Sequence, residues 1–228
     1  MPIRDHGDVR VIEGVLAENA LTRLRDADTD PEGFRGRLRE LGRLCGYEIA
    51  PEVLETQETI VETPVSEARA RRADGSGVIV VNVLRAATPF VEGIVEVLPE
   101  VRQGFVSASR EESGQEEDGF PVTVEYVNIP EITSGDTMII ADPMLATGST
   151  MLSVAREIES LGQGHFDIVS LSVVSSQEGI DRVRQDRPEM QNVTVSIDDR
   201  LNEDGYILPG LGDAGDRAFG TGGSSGGT

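Results

Sequence analysis

Residues Ile139 to Thr150 read IIADPMLATGST, and this stretch decides the fold. Met138, Ile139, Ile140 and Ala141 make a short apolar run suited to a central parallel strand, which is buried on both faces. Asp142 stands where the run ends, and Ala146, Thr147, Gly148, Ser149 and Thr150 follow. Met151, Val154, Ala155, Ile158 and Leu161 then recur on one helical face, with Gly162 placed to stop the helix. A strand that feeds a helix through small residues turns backbone N–H groups and hydroxyls toward one spot. That spot suits a phosphate, because a helix N-terminus carries unpaired donors and partial positive charge. The plainer alternative is that Thr147, Ser149 and Thr150 only cap the helix. Capping accounts for one hydroxyl and leaves the strand-end acid and the rest of the loop without a role.

Working outward, the same alternation continues on both sides. Val78 to Leu84 is a β-branched run, and Gly104 to Ser107, Val122 to Val127, Ile168 to Val174 and Val193 to Ile197 read as further strands. Strands separated by helical stretches predict an α/β architecture: a Rossmann-like, mostly parallel sheet flanked by helices, with right-handed crossovers. Ligands in such sheets collect outside the carboxyl ends of the strands, where the loops after Leu84 and Ala141 fall. Residues 1–72 read as a helical and connective arm. Phe34, Leu38, Leu41, Leu44 and Cys45 recur at helical spacing, and Asp30-Pro31-Glu32 makes a helix start. The arm is either an exposed amphipathic helix or a means of self-association into a dimer or tetramer. The core is expected over 73–220, with a C-terminal hood from about 196, and 221–228 as a flexible Gly/Ser tail.

Composition narrows the chemistry. The chain has 228 residues, 38% hydrophobic, enough for one domain with a sizeable core. No run approaches the length of a membrane span, and no signal-peptide order is read at the N-terminus, so a cytoplasmic location is expected. The single cysteine, Cys45, excludes an internal disulfide and reads as a buried thiol. The formal charge is −21, from 41 acidic and 20 basic residues, and every basic residue is arginine. Such a surface suits molar salt, where the screening length falls to about 3 Å, and points to a halophilic source. Without lysine there is no Schiff base to a pyridoxal cofactor and no P-loop lysine. The acidic surface argues against a general nucleic-acid binder. Phosphate must then be handled by arginine, backbone amides and a divalent metal. His6 and His165 group with no motif.

Two further stretches complete a candidate site. NVLRAATPFVEGI, Asn82 to Ile94, sets Arg85 directly after a buried strand, where a guanidinium suits a diphosphate. SIDDRLNEDGYILPGLGDAGDRAFGT, Ser196 to Thr221, crowds Gly205, Pro209, Gly210, Gly212 and Gly215 around Ile207, Leu208 and Leu211. A tight turn of that kind presents main-chain donors and acceptors to a planar ligand with two carbonyls and an N–H. Between Ser109 and Phe120, SREESGQEEDGF reads as a solvated hairpin tip or a lid, opening with Arg110.

These stretches resemble the uracil branch of the type I phosphoribosyltransferase superfamily. DPMLATGST resembles its phosphoribosyl-diphosphate loop, NVLRAA its diphosphate-binding segment, and YILPGLGDAGDRAFG its uracil-recognition segment, in wording closest to archaeal members. In the diphosphate-binding segment Ala87 stands where the family has glycine, which permits conformations that alanine resists. The resemblance implies transfer of the phosphoribosyl group of 5-phospho-α-D-ribose 1-diphosphate to uracil, giving UMP and diphosphate with Mg²⁺, as in pyrimidine salvage. It implies that Arg85, Arg110, Asp142 and Asp213 act in catalysis. The diphosphate sugar would be held by these four with Pro143, Met144, Leu145, Ala146, Thr147, Gly148, Ser149 and Thr150. Uracil would meet Ile207, Gly212, Asp213 and Ala214. In such members GTP acts as an activator, here matching Gly36, Arg37, Leu38, Arg39 and Glu40, and CTP is a second candidate effector. Two alternatives stand beside this: a phosphoribosyltransferase for a purine or orotate, and a catalytically silent sensor of UMP or phosphoribosyl diphosphate.

Overall fold

The computed structural model describes residues 3–6, 9–110 and 122–221. In chain order the elements are β1 (Ile3–His6), β2 (Val9–Ile12), α1 (Val15–Arg25), α2 (Pro31–Val53), β3 (Glu55–Glu62), β4 (Glu67–Asp74) and β5 (Val78–Leu84). Then come α3 (Thr88–Val97), β6 (Arg102–Arg110), β7 (Val122–Asn128), β8 (Thr137–Ala141), β9 (Met144–Leu145), α4 (Ser149–Leu161) and β10 (Asp167–Ser176). The chain closes with α5 (Gln177–Asp186), β11 (Gln191–Asp198), β12 (Arg200–Leu201), β13 (Ile207–Leu208) and α6 (Ala214–Phe219).

One mixed, mostly parallel sheet organises these pieces, in the order β1-β2-β11-β10-β8-β5-β6-β7, with β9 beside β10. From β2 to β6 every neighbouring pair is parallel, and helices flank the sheet. The central strands are continuous apolar runs because both of their faces are covered; Val78 to Val83 and Met138 to Ala141 are all buried. Only the sheet's ends depart from parallel pairing: β1 runs antiparallel to β2, and β7 to β6. A parallel return would need a crossover element. The acidic, glycine-containing segment after β6 has no apolar face from which to make one. That segment, read as lid or hairpin tip, lies from 111 onward outside the described residues.

Within 1–72 the helices come with strand pairs. Asp30 caps α2 by accepting from the Gly33 amide at 2.7 Å, with Pro31 in the first turn. Phe34, Leu38, Leu41, Cys45 and Ile49 are buried along α2, and burial pushes the Cys45 thiol up from its ordinary range. Close packing on α3 accounts for this burial: a Cβ on Gly93 would stand 2.0 Å from the Arg39 carbonyl oxygen. β2 joins the main sheet beside β11, so this part of the chain shares the central core. The β3–β4 hairpin forms a separate two-stranded sheet.

Candidate active site

β5 and β8 are adjacent and parallel, with Asn82 opposite Ala141, so the chain leaves both strands at the same sheet edge. The Arg85 loop and the Asp142 loop therefore start as neighbours. Ala87 has φ −73° and ψ −15°, an ordinary helical conformation that alanine takes without strain, so no glycine is required there. The Leu84–Arg85 peptide bond is cis. Arg85 reaches toward the C-terminal segment, 3.7 Å from an Asp216 carboxylate oxygen and 3.4 Å from Thr221 Oγ1; its side chain is 60% exposed.

After Ala141, the loop enters α4 through Gly148, whose φ of +79° is left-handed. A Cβ there would also lie 3.0 Å from the Gly179 carbonyl oxygen, so both conformation and space call for glycine. No side chain caps α4. The hydroxyls instead stiffen the loop: Thr147 Oγ1 donates to Ser149 Oγ at 3.1 Å, and Arg182 Nη1 donates to Ser149 Oγ at 2.8 Å. From behind, Ser176 Oγ donates to the Ala146 carbonyl at 2.6 Å while capping α5 through the Gly179 amide. Capping alone is thus not what the small residues do. At the far end, Gly162 follows α4 in an extended conformation, where a Cβ would run into the Phe166 ring at 2.2 Å. Glycine is needed there for packing and not for a left-handed stop.

The C-terminal segment folds as a short hairpin and a turn. β12 and β13 pair antiparallel, closed by Asn202, whose Oδ1 accepts from the Asp204 and Tyr206 amides at 3.1 and 2.8 Å. Leu208–Pro209 is cis. Asp213 then caps α6, accepting from the Asp216 amide at 2.8 Å.

These three stretches line one cavity of about 850 Å³. Arg85, Asp142, Met144, Leu145, Ala146, Thr147, Gly148, Thr150, Ile207 and Asp213 all face it. Pro143, Ser149, Gly212 and Ala214 are not among its walls; Ser149 is buried in the loop's own hydrogen bonds, and Ala214 is buried in the core. The side chain of Arg110 lies outside what the structure describes. His165 is exposed, 3.9 Å from Asp167, and is not among the walls. Wall residues to which the sequence assigned no contact are Val83, Leu84, Ala86, Ala108, Met151, Gly215 and the turn Glu203-Asp204-Gly205-Tyr206. Asn-Glu-Asp-Gly is a turn signature, so the turn was findable; its position against the phosphate loop was not.

Carboxylates outnumber basic side chains around this cavity. Among the described residues, Arg85 is the one basic side chain on the walls, against the carboxylates of Asp142, Glu203, Asp204 and Asp213. Backbone amides at the start of α4 supply further positive potential. No cluster of three or more His, Cys, Asp or Glu suited to a metal occurs among the described residues. A hard cation such as Mg²⁺ needs no such cage when it arrives with a diphosphate, because one or two carboxylates and substrate oxygens suffice. A second, shallower cavity of about 620 Å³ lies at the start of α2, walled by Gly36, Arg37 and Arg39 with Asp30, Glu32, Gly33 and Arg35. Leu38 faces the core, and Glu40 pairs with Arg37.

Known proteins resemble this chain along nearly its full length. The family profile described as uracil phosphoribosyltransferase matches residues 11–221. A uracil phosphoribosyltransferase of the halophilic archaeon Haloarcula marismortui is 52% identical over 224 residues, covering 97% of this chain and 100% of that protein. Among solved structures, the AQ2163 protein from Aquifex aeolicus is 30% identical with a TM-score of 0.82, covering 92% of this chain and 97% of that one. Adenine phosphoribosyltransferase from Leishmania donovani, 14% identical with a TM-score of 0.55 over 90% of each chain, shares the fold alone.

Proposed function

The chain belongs to the uracil phosphoribosyltransferase family, and from that premise we propose how its cavity transfers a phosphoribosyl group from phosphoribosyl diphosphate to N1 of uracil, releasing diphosphate and forming UMP. The observation that carries the reading is the shared cavity: Thr147, Gly148 and Thr150, Arg85, and Ile207 with Asp213 wall one space of about 850 Å³. An anionic sugar and a neutral pyrimidine can meet there.

Breaking the bond between C1 and the diphosphate leaves an oxocarbenium-like sugar and a departing polyanion. The work of the site is to neutralise that polyanion and hold N1 in line. Arg85 donates to the diphosphate, leaving Asp216 and Thr221 as it does so, and Arg110 is assigned the same task. Amides and hydroxyls of the 147–150 loop grip the 5-phosphate, and Asp142 steadies the ribose hydroxyls. Main-chain groups around Ile207 and Asp213, which line the cavity, read the uracil carbonyls and N3–H. Mg²⁺ bound with the diphosphate would supply positive charge to the leaving group, and Asp142 and Asp213 are the carboxylates that would hold it. Orotate would call for a cation in the base pocket, whereas the turn that meets the base offers carboxylates and main chain.

Labelled uracil, phosphoribosyl diphosphate and Mg²⁺ in concentrated KCl should yield UMP, with orotate, adenine and hypoxanthine giving none. Tight binding of UMP without turnover would replace the enzyme by a sensor. GTP is proposed as an activator at the α2 cavity, where a side chain added at Gly36 meets no atom within 4 Å. Unchanged rates over a GTP titration would remove it.

A further inference from the structure

Asp198, the last residue of β11, is nearly sealed from solvent, its side chain 3% exposed. Its carboxylate receives four donors. Arg25 Nη1 lies 2.7 Å from Oδ2 and Nη2 lies 2.6 Å from Oδ1; Ser196 Oγ donates to Oδ1 at 3.0 Å, and the Gly210 amide to Oδ2 at 2.8 Å. Arg25, at the end of α1, also donates to the Gly210 carbonyl at 3.2 Å and to Ser196 Oγ at 3.1 Å. Both backbone polar groups of Gly210 are therefore held by one ion pair. Gly210 has φ +62°, and a Cβ there would stand 2.0 Å from the Ile207 carbonyl oxygen. The turn is folded back on itself at the point between Ile207 and Asp213, the two residues through which it walls the cavity.

We propose that Arg25 and Asp198 are positioning residues for base recognition, a buried bidentate pair that fixes Gly210 and so sets where the turn's main-chain groups meet uracil. This rests on the reading that the turn receives the base. A base read by main chain has no adjustable side chain to correct a misplaced turn, and glycines alone leave such a turn loose. The two parallel N–H···O bonds between guanidinium and carboxylate impose direction as well as attraction. Lysine offers a single point charge and no fork. The N-terminal arm thus bears on the turn through Arg25 without lining the cavity. Arg217 reinforces it by donating to the Leu24 carbonyl at 2.8 Å and the Leu211 carbonyl at 2.9 Å.

The test uses the full chain in concentrated KCl, with Arg25→Lys, Arg25→Ala, Asp198→Asn and Ser196→Ala. KM is measured for uracil and phosphoribosyl diphosphate separately, with cytosine and 5-fluorouracil as competing bases and thermal unfolding recorded for each variant. KM for uracil should rise about tenfold or more in Arg25→Ala and Asp198→Asn, and by an intermediate amount in Arg25→Lys, while KM for phosphoribosyl diphosphate stays within about twofold. Ser196→Ala, which keeps both charges, should stay near wild type. Discrimination among the bases should narrow in parallel. Should the alanine variant fail to fold, Arg25→Lys decides: folded and with wild-type KM for uracil, it overturns the proposal. An equal rise in both KM values overturns it as well, since that is the mark of general loosening. Wild-type protein that forms no UMP defeats the underlying reading instead, and that outcome is separate from unchanged variants of an active enzyme.

Discussion

Arg85 occupies a position that no other described side chain can fill, being the one base on the cavity wall among four acids. It rests against Asp216 and Thr221, contacts that are long and exposed and therefore weak. A diphosphate carrying several negative charges would draw it away. Replacing Arg85 with alanine should cost about 2–4 kcal/mol of transition-state stabilisation, read from kcat/KM. A variant with wild-type kcat/KM would take Arg85 out of the mechanism. Arg182 works at one remove. It donates to Ser149 Oγ at 2.8 Å and to the carbonyl of the wall residue Thr147 at 3.4 Å without lining the cavity itself, so its contribution is to the shape of the 147–149 loop. Nothing in the local pattern around Arg182 marks it, because a helix residue that points at a distant loop looks like any exposed arginine.

Among the elements, the start of α4 and the end of β11 carry the sharpest expectations. Gly148→Ala sets a side chain in a left-handed conformation, which costs roughly 1–2 kcal/mol by itself. The new Cβ also stands 3.0 Å from the Gly179 carbonyl oxygen, so the loop or α5 must shift. KM for phosphoribosyl diphosphate should increase while KM for uracil changes little; equal changes would show that the loop does not serve the phosphate. At the end of β11, burial by itself raises the Asp198 pKa. The hydrogen bonds from Arg25 and the Gly210 amide, with the Arg25 charge, outweigh it, and the carboxyl ends below the usual carboxylate range. The folded value lies under the unfolded one of about 3.9, so this group's stabilisation is complete above that pH. It is lost as pH falls through the folded value. Asp198→Asn should therefore flatten the acid limb of the stability curve below about pH 4 compared with wild type, as followed by chemical unfolding at a series of pH values. Identical limbs would show that Arg25 does not favour the ionised carboxylate.

For the whole molecule the governing quantity is charge. At −21, with no lysine, self-repulsion opposes the compact state wherever salt does not screen it. Unfolding midpoints should climb as KCl is raised from dilute buffer toward molar concentrations. Full stability without added salt would count against adaptation to concentrated brine. Arginines pair with some of the acids, as between Arg187 and Glu159 at 2.8 Å and between Arg43 and Glu96 at 2.9 Å. Individually such exposed pairs contribute little. Their value is in spacing acids that would otherwise lie side by side.

What the amino-acid order determined unaided was everything set by short-range pattern. A β-branched run marked β5 and a short apolar run β8, period 3.6 marked α2 and α4, and Asp30-Pro31 marked where α2 begins. The loop from Asp142 to Thr150 was legible for the same reason, since its glycine, hydroxyls and preceding acid lie close together in the chain. The antiparallel ends of the sheet and the β3–β4 hairpin were less so, because charged, half-exposed strands such as Glu67–Asp74 lack an apolar signature. Only the tertiary structure decided that β8 sits between β5 and β10, and with that which loops share a cavity. It alone paired Arg25 with Asp198 and Arg182 with Ser149. Those contacts join residues far apart in the chain, and their partners are chosen by sheet order and helix packing, neither of which leaves a periodic trace in the residues themselves.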